Sequence, residues 1–378
     1  MRVAERDTPA VTDQAVASVR ELIGTPLRRR GLNSLASIQA IRRWNVAVGD
    51  RNPLFLDEGY GRKSRYGSII APPLWLYTVD DTVVAPGLPG LHALYTAVDW
   101  EFFSPVRVNS DIRVESRLTG LEERESRFAG RTLTEVGESL YCFADGRPVA
   151  RAVSRVDRFC RANAVAKGFY AGLSQRYHYS EDELLAVEDA YDAESIRGDK
   201  VLYWEDVEPG EVITPVVKGP LSSEDIITFV TATNPVRTYG GSIRFRERHP
   251  LAEFYDVETG RFDAWERSML DPEVAQQFGF PLAHEAWGQR VSWLGSMLTN
   301  WMGDDGWLRK LSVQLTRPNL HVDTTWSKGE VVAKAQRDGK AVVDVRLWCE
   351  NQRGETTAKG TAEIVLQSRA VEPLTVPA

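Results

Sequence analysis

The chain passes through the same series of landmarks twice, and that repetition limits its fold more than any other feature. Asn52-Pro53 returns as Asn234-Pro235, and Tyr66-Gly67 followed by Ala71 returns as Phe278-Gly279 followed by Ala283. Pro105 and Asp111, which bracket a strand break, return as Pro318 and Asp323. From Asn to Gly the first copy takes 15 residues and the second 45, so the second carries an insertion of 30, roughly 242–270. The insertion is rich in Arg, Glu and aromatics and holds Arg246, Arg248, His249 and Tyr255. Insertions of this length are functional loops or disordered excursions. A duplicated unit in 378 residues implies two domains, each large enough for its own core. We expect them at 1–165 and 201–370, joined by a linker, 166–200, in which 180–196 reads as an acidic helix.

In each copy a Gly-containing loop leads to a helix-like apolar segment and then to a train of strands. Val291, Leu294, Met297, Leu298 and Trp301 recur at three-and-four spacing, which predicts one helix of about four turns. Alternation predicts strands over 112–118, 130–134 and 139–143, the last closing at Asp145-Gly146. In the second copy it predicts them over 311–315, 331–335, 341–348 and 360–366, with Asp338-Gly339 as a hairpin turn. The fold class is therefore α+β: one helix wrapped by a long antiparallel sheet, twice over.

Composition narrows the functions open to such a chain. With 43% hydrophobic residues and 11 tryptophans it can bury two substantial cores. The formal charge is −7 and no basic cluster exceeds Arg28-Arg29-Arg30, which argues against nucleic acid as a partner. No apolar run approaches the roughly 20 residues that span a bilayer. Arg2, Glu5, Arg6 and Asp7 do not read as a secretion signal, so a cytoplasmic, membrane-free protein is expected. Cys142, Cys160 and Cys349 are scattered without metal-ligand spacing and read as small buried hydrophobes, neither a disulfide framework nor a zinc site.

Gly49-Asp50-Arg51-Asn52-Pro53-Leu54-Phe55 resembles the hydration motif Gly-Asp-x-Asn-Pro-x-His of the MaoC-like family, with Phe55 in the histidine's place. That family comprises R-specific enoyl-thioester hydratases and 3-hydroxyacyl-thioester dehydratases. Tyr203-Trp204-Glu205-Asp206-Val207-Glu208-Pro209-Gly210 resembles the family's Tyr/Phe-x-Glu-Asp-Val-x-x-Gly opening, and the first half is similar to its fatty-acid-synthase-type dehydratase variant. The resemblance implies a double hot-dog, a pseudo-dimer in one chain. It also implies reversible hydration of an enoyl thioester carried on CoA or an acyl carrier protein, with no metal and no redox cofactor.

Hydration needs a base for water, an acid for C2, and donors for the enolate-like thioester oxygen. In the family the motif's Asp and His share the first two tasks, and N–H groups at the start of the hot-dog helix perform the last. Here Gly49, Asp50, Asn52 and Pro53 are kept, while Ala71-Pro72-Pro73 removes two donors from the first copy's helix start. The second copy places Arg237 where histidine would stand and Thr231, Ala232 and Thr233 where the carboxylate would, yet keeps Ala283-His284-Glu285. This reciprocal loss suggests one composite site, on the expectation that the loop of one copy faces the helix start of the other. Asp50 would be the base and His284 a relocated acid/base. Asn52, Phe55, Arg237, Tyr239, Glu285, Trp287 and Gly288 would bind substrate, with oxyanion donors near Ala286 to Gly288.

Plainer readings stand beside these. Asp50 caps a turn; His284 is a satisfied core histidine; Arg237 forms a surface ion pair rather than binding a carboxylate or CoA phosphate; Tyr239-Gly240-Gly241 is a turn. Trp287, Trp293 and Trp301 at helical spacing read as core. Other functions also fit: a degenerate acyl-thioester-binding subunit that needs a second MaoC-like chain, a thioesterase using a lone carboxylate, or a dehydratase for an unusual substrate. A homodimer through sheet or helix surfaces is compatible with all of them.

Overall fold

Both trains of strands form, and they run longer than alternation alone marks. In a computed structural model, which describes residues 10–27, 33–173, 176–233, 253–256 and 259–370, the first half contributes β1 (Pro26–Leu27), β2 (His92–Phe102), β3 (Ile112–Ser126), β4 (Gly130–Phe143) and β5 (Pro148–Phe159). The second contributes β6 (Val212–Lys218), a hairpin β7 (Glu253–Asp256) and β8 (Arg261–Ala264), then β9 (Trp307–Leu315), β10 (Thr325–Arg337), β11 (Lys340–Asn351) and β12 (Thr356–Val365). The predicted segments 130–134 and 139–143 are one strand. The pattern breaks there because a Cβ at Gly137 would overlap Val84, so a side chain is missing where alternation expects one. β2 carries no clean alternation because its register shifts between Tyr95 and Ala97.

Ten strands form a single antiparallel sheet in the order β1-β3-β4-β5-β2-β9-β12-β11-β10-β6. Read outward from the centre, each half has the same order, so the repetition in the sequence becomes an internal pseudo-two-fold. The halves join through β2 and β9, where Val98 faces Val313 and Trp100 faces Leu311. Inside the curve of the second half runs the helix Gln289–Met302, every residue of it buried, including the polar Gln289, Arg290, Ser292, Ser296, Thr299 and Asn300.

The first half departs from the expected second helix. Its equivalent is a six-residue 3-10 helix, Pro73–Thr78, followed by irregular chain to β2. Pro72 and Pro73 lack the N–H groups of a first turn, and Pro86, Gly87, Pro89 and Gly90 prevent a helix from resuming. The exposed carbonyls of this stretch are met from the sheet. Arg158, fully buried on β5, donates to the carbonyls of Ala85 (3.1 Å), Leu88 (2.7 Å), Leu91 (3.2 Å) and His92 (3.3 Å). Glu135 balances its charge at 3.1 Å, and burial pushes that carboxyl up to about 7.

The two halves also fix how the landmarks correspond. Ile70 bridges Arg107 as His284 bridges Leu320. The Ala71 N–H donates to the Val106 carbonyl (2.8 Å) as the Glu285 N–H donates to that of Asn319 (2.9 Å). Asn109 and Val322 follow with matching φ of 66° and 65°. His284 therefore corresponds to Ile70 and Glu285 to Ala71, two residues away from the match by letters that aligned Ala71 with Ala283. The loop between the conserved-looking glycine and the bridge is two residues longer in the second half, from Gly279 to His284 against Gly67 to Ile70.

The acidic linker helix forms as Glu181–Asp192, with Ser180 and Glu183 closing a capping box. The described part of the insertion continues into the 3-10 helix Trp265–Met269 and the helix Pro272–Gln276. There Val274, Ala275, Phe278 and Phe280 form a small core of their own. Among the described residues no helix is long and apolar enough to cross a membrane, and no cluster of His, Cys, Asp and Glu has metal-binding geometry.

Candidate active site

The pseudo-two-fold generates a cleft at each helix start, and the two clefts have diverged. In the first half Asn52, Phe55, Pro72 and Pro73 face Thr299, Met302 and Asp304 at the far end of the second half's helix, with Trp307 opening β9. This cleft is nearly filled, with a volume of about 40 Å³. In the second half His284, Glu285, Trp287 and Arg290 face the start of β2 at His92, with Trp265 and Phe280 from the insertion side. That cavity measures about 530 Å³. β2 and β9 are equivalent strands, and the matching register shifts at Thr96 and Arg309 make Trp307 the counterpart of Leu94 and His92 that of Asp305, so the two clefts are lined differently along these strands.

Proton-handling groups gather in the open cleft. The His284 Nδ1 lies 2.9 Å from the Glu285 backbone carbonyl. A carbonyl only accepts, so Nδ1 carries the hydrogen and Nε2 keeps a lone pair. Nε2 is buried and has no hydrogen-bond partner. Burial lowers the imidazole to about 4, with His321 and Arg290 adding their repulsion. Beside it, Glu285 Oε1 accepts from Arg290 Nε at 2.6 Å. Oε2 makes no hydrogen bond of normal geometry, although the Asn319 amide lies near. Burial raises this carboxyl to about 7 against the pull of Arg290. Arg290 is held in turn by the carbonyls of Thr357 (2.5 Å) and Arg317 (2.8 Å). A neutral imidazole and a carboxyl raised by burial thus stand next to each other, one shifted down and the other up, the pattern that divides acid from base roles.

The helix start sets the remaining geometry. A Cβ on Gly288 would lie 2.9 Å from Tyr77 Cζ, so only glycine lets this turn close against the first half. The Ala286 N–H is occupied by Gln289 Oε1 at 3.3 Å, which removes it from the expected oxyanion donors.

The Asp50 loop is built as the sequence suggests but stands elsewhere. Gly49 ends the helix Ile38–Val48 in the left-handed region at φ 66°, a position that glycine takes without strain. Asp50 Oδ1 accepts the Asn52 N–H (2.9 Å), and Asn52 Oδ1 accepts that of Leu54 (3.0 Å). Burial raises the Asp50 carboxyl, opposed by the Asn52 N–H, the nearby Ser296 hydroxyl and Lys218. Ser296 lies seven residues into the helix that starts at Gln289, about 10 Å along its axis at 1.5 Å per residue. Asn52 and Phe55 line the first-half cleft and His284, Glu285 and Trp287 the second-half one, while Asp50, near Ser296, lines neither. The first-half loop meets its own half's Pro72-Pro73 turn and the far end of the second half's helix. Arg237 and Tyr239 lie outside the described residues.

Sequence reasoning passed over His92. Its signal was rarity: the chain has only five histidines, and His92, His284 and His321 come close enough to influence one another in turn.

Comparison with known proteins agrees with this architecture. Residues 22–152 match the family model of the FAS1-like, dehydratase domain region. A 3-hydroxybutyryl-CoA dehydratase of Methylorubrum extorquens is 32% identical over 84 residues, 22% of this chain. The chain spans about half (54%) of that relative's length. Among solved structures, a MaoC-like dehydratase superposes with a TM-score of 0.64 at 14% identity, covering 93% of this chain and 99% of its own. A Mycobacterium tuberculosis protein with a double hotdog fold gives 0.52 at 11%, covering 91% and 96%. At such identities the structural likeness is one of fold. The fold is thus a double hot-dog, two α+β units sharing one sheet. Residues 22–152 are similar to a dehydratase domain region, and the chain as a whole has the fold of a MaoC-like dehydratase.

Proposed function

We propose that the protein is a hydro-lyase that adds water to a trans-2-enoyl thioester, or removes it from a 3-hydroxyacyl thioester, in the second half's cleft. The observation that carries this reading is the pairing, on one cavity of about 530 Å³, of His284 with an unpartnered Nε2 and the buried Glu285, whose carboxyl burial raises to about 7. In hydration His284 Nε2 takes a proton from water as the water oxygen bonds to C3. The C2=C3 electrons move toward C2 and the thioester, and Glu285 delivers its proton to C2. Negative charge developing on the thioester oxygen meets the positive end of the helix Gln289–Met302. Dehydration is the same path reversed. Arg124, Arg155 and Arg317 line the cavity as well and suit the phosphates of a CoA or carrier-protein arm. The Methylorubrum dehydratase, similar over 84 residues, is named for a CoA ester, which supports this substrate class.

A second reading keeps Asp50 as the base, favoured by its buried Oδ2 without a normal hydrogen bond. A third, the degenerate subunit that needs a second MaoC-like chain, is favoured by the near-closure of the first cleft. One assay separates them: the ultraviolet and mass-spectrometric hydration of short, long and ring-bearing enoyl-CoAs by the purified protein and by Glu285→Gln and Asp50→Asn. Turnover lost only in Glu285→Gln supports the second-half cleft, and turnover lost only in Asp50→Asn transfers the chemistry to the first-half loop. Saturable binding with no turnover in any form supports the subunit reading.

A further inference from the structure

His92 has no part in the steps above, yet it brings an imidazole from the start of β2 to that cavity. Its ring sits in a box of aromatic rings drawn from both halves: Phe278 (centroids 4.9 Å apart), Phe159 (5.1 Å), Trp265 (5.7 Å) and Phe280 (6.0 Å). Such a box would accept phenylalanine as readily as histidine. Nevertheless the buried Nδ1 has no hydrogen-bond partner, and the residue lines the cavity together with His284, whose Nε2 is unpartnered too. The charged and titratable groups facing His92 are Arg161, His284 and Arg158, and together with burial they hold the ring neutral. Two neutral imidazoles, one from each half, thus line one cavity and each carries a buried nitrogen without a partner, and a water bound in a protein needs two or more such partners.

We propose that His92 is a positioning residue for the reaction, holding the attacking water from the first half while His284 holds it from the second. The water donates one O–H to His284 Nε2 and loses that proton as its oxygen bonds to C3. Its other O–H stays bonded to His92 Nδ1 and becomes the product's 3-hydroxyl. The inference rests on the hydration reading and makes the pseudo-dimer necessary to chemistry, since neither half carries both nitrogens.

The test compares His92→Phe and His92→Gln with the wild type, using the full chain and crotonyl-CoA. His92→Phe, which fills the aromatic box, is expected to lower kcat at least 50-fold with KM within threefold. His92→Gln, whose amide oxygen can accept the water's hydrogen, is expected to recover about tenfold of that loss. A folded His92→Phe variant with kcat within threefold of wild type overturns the proposal. Nitrogen-15 spectra of the histidine rings with butyryl-CoA, a saturated ligand that cannot be hydrated, give a readout independent of turnover. The His92 resonances should shift while those of exposed His178 do not, and unmoved His92 resonances at saturation also overturn it. If the wild type shifts but turns over no enoyl-CoA, the hydratase reading fails and takes the water-holding role with it. If the wild type is active and His92→Phe is too, only the role of His92 fails.

Discussion

Replacing Glu285 by glutamine keeps the side chain's shape and its bond from Arg290 while removing the proton that the proposed mechanism transfers. The carboxyl is raised from 4.5 to about 7 by burial. For an acid, a folded pKa above the unfolded one means that the unfolded chain ionises first as pH rises. The folded state therefore suffers no penalty below 4.5, loses stability between 4.5 and 7, and bears the full penalty above. At about 1.4 kcal/mol per pH unit the loss is about 3 kcal/mol. Glutamine does not titrate, so the stability difference between variant and wild type should change by that amount from pH 4 to pH 8, in the variant's favour. With 378 residues and an unfolding entropy of about 2 cal/mol/K for each, this corresponds to about 4 °C in Tm. Differential scanning calorimetry at half-unit pH intervals measures it, and every other titrating group cancels to first order because both proteins share it. Two curves that stay parallel within 1 °C would mean that Glu285 is already ionised in the native protein at pH 5. Its role as proton donor would then be refuted.

Three further outcomes follow from the same geometry. Hydration kcat/KM should be bell-shaped, with an acid limb near 4, where His284 becomes protonated and loses its acceptor, and a basic limb near 7, where Glu285 loses its proton; activity still rising above pH 8 would contradict this. Gly288→Ala places a methyl 2.9 Å from Tyr77 Cζ, which should cost about 1–3 kcal/mol in urea unfolding and lower kcat by displacing the helix start; an unchanged midpoint would show that Tyr77 yields freely. Asp50→Asn should leave crotonyl-CoA hydration within threefold, and a loss of a hundredfold or more would place the chemistry in the first-half loop.

Much of this architecture was legible in the chain because it depends on local and repeated properties. The three-and-four spacing from Val291 to Trp301 marked the helix Gln289–Met302, and Asp338-Gly339 marked the turn between β10 and β11, where both residues have positive φ. The recurrence of landmarks anticipated a double fold. Where expectation failed, a residue was answering to a distant partner. Gly137 interrupts a strand's alternation to admit Val84, and Arg158 replaces a helix's internal hydrogen bonds by reaching the carbonyls of Ala85 to His92 from the sheet. Neither distant partner can be read from spacing.

The site divides in the same way. Residue types and their order determined by themselves that two related units would form, that the Gly49 to Phe55 loop would close through Asp50 and Asn52, and that a His-Glu step would precede the second helix. Only the tertiary structure decided which of these groups share a cavity. The first-half loop packs against its own half's Pro72-Pro73 turn and the far end of the second half's helix, so Asn52 and Phe55 line one cleft and His284 the other. The same packing of the halves brings His92, 192 residues away in the chain, to the cleft of His284. Sequence spacing encodes faces of helices and strands; what meets across a β2–β9 junction depends on how whole sheets pair, and that is settled by the sum of buried surfaces rather than by any local pattern.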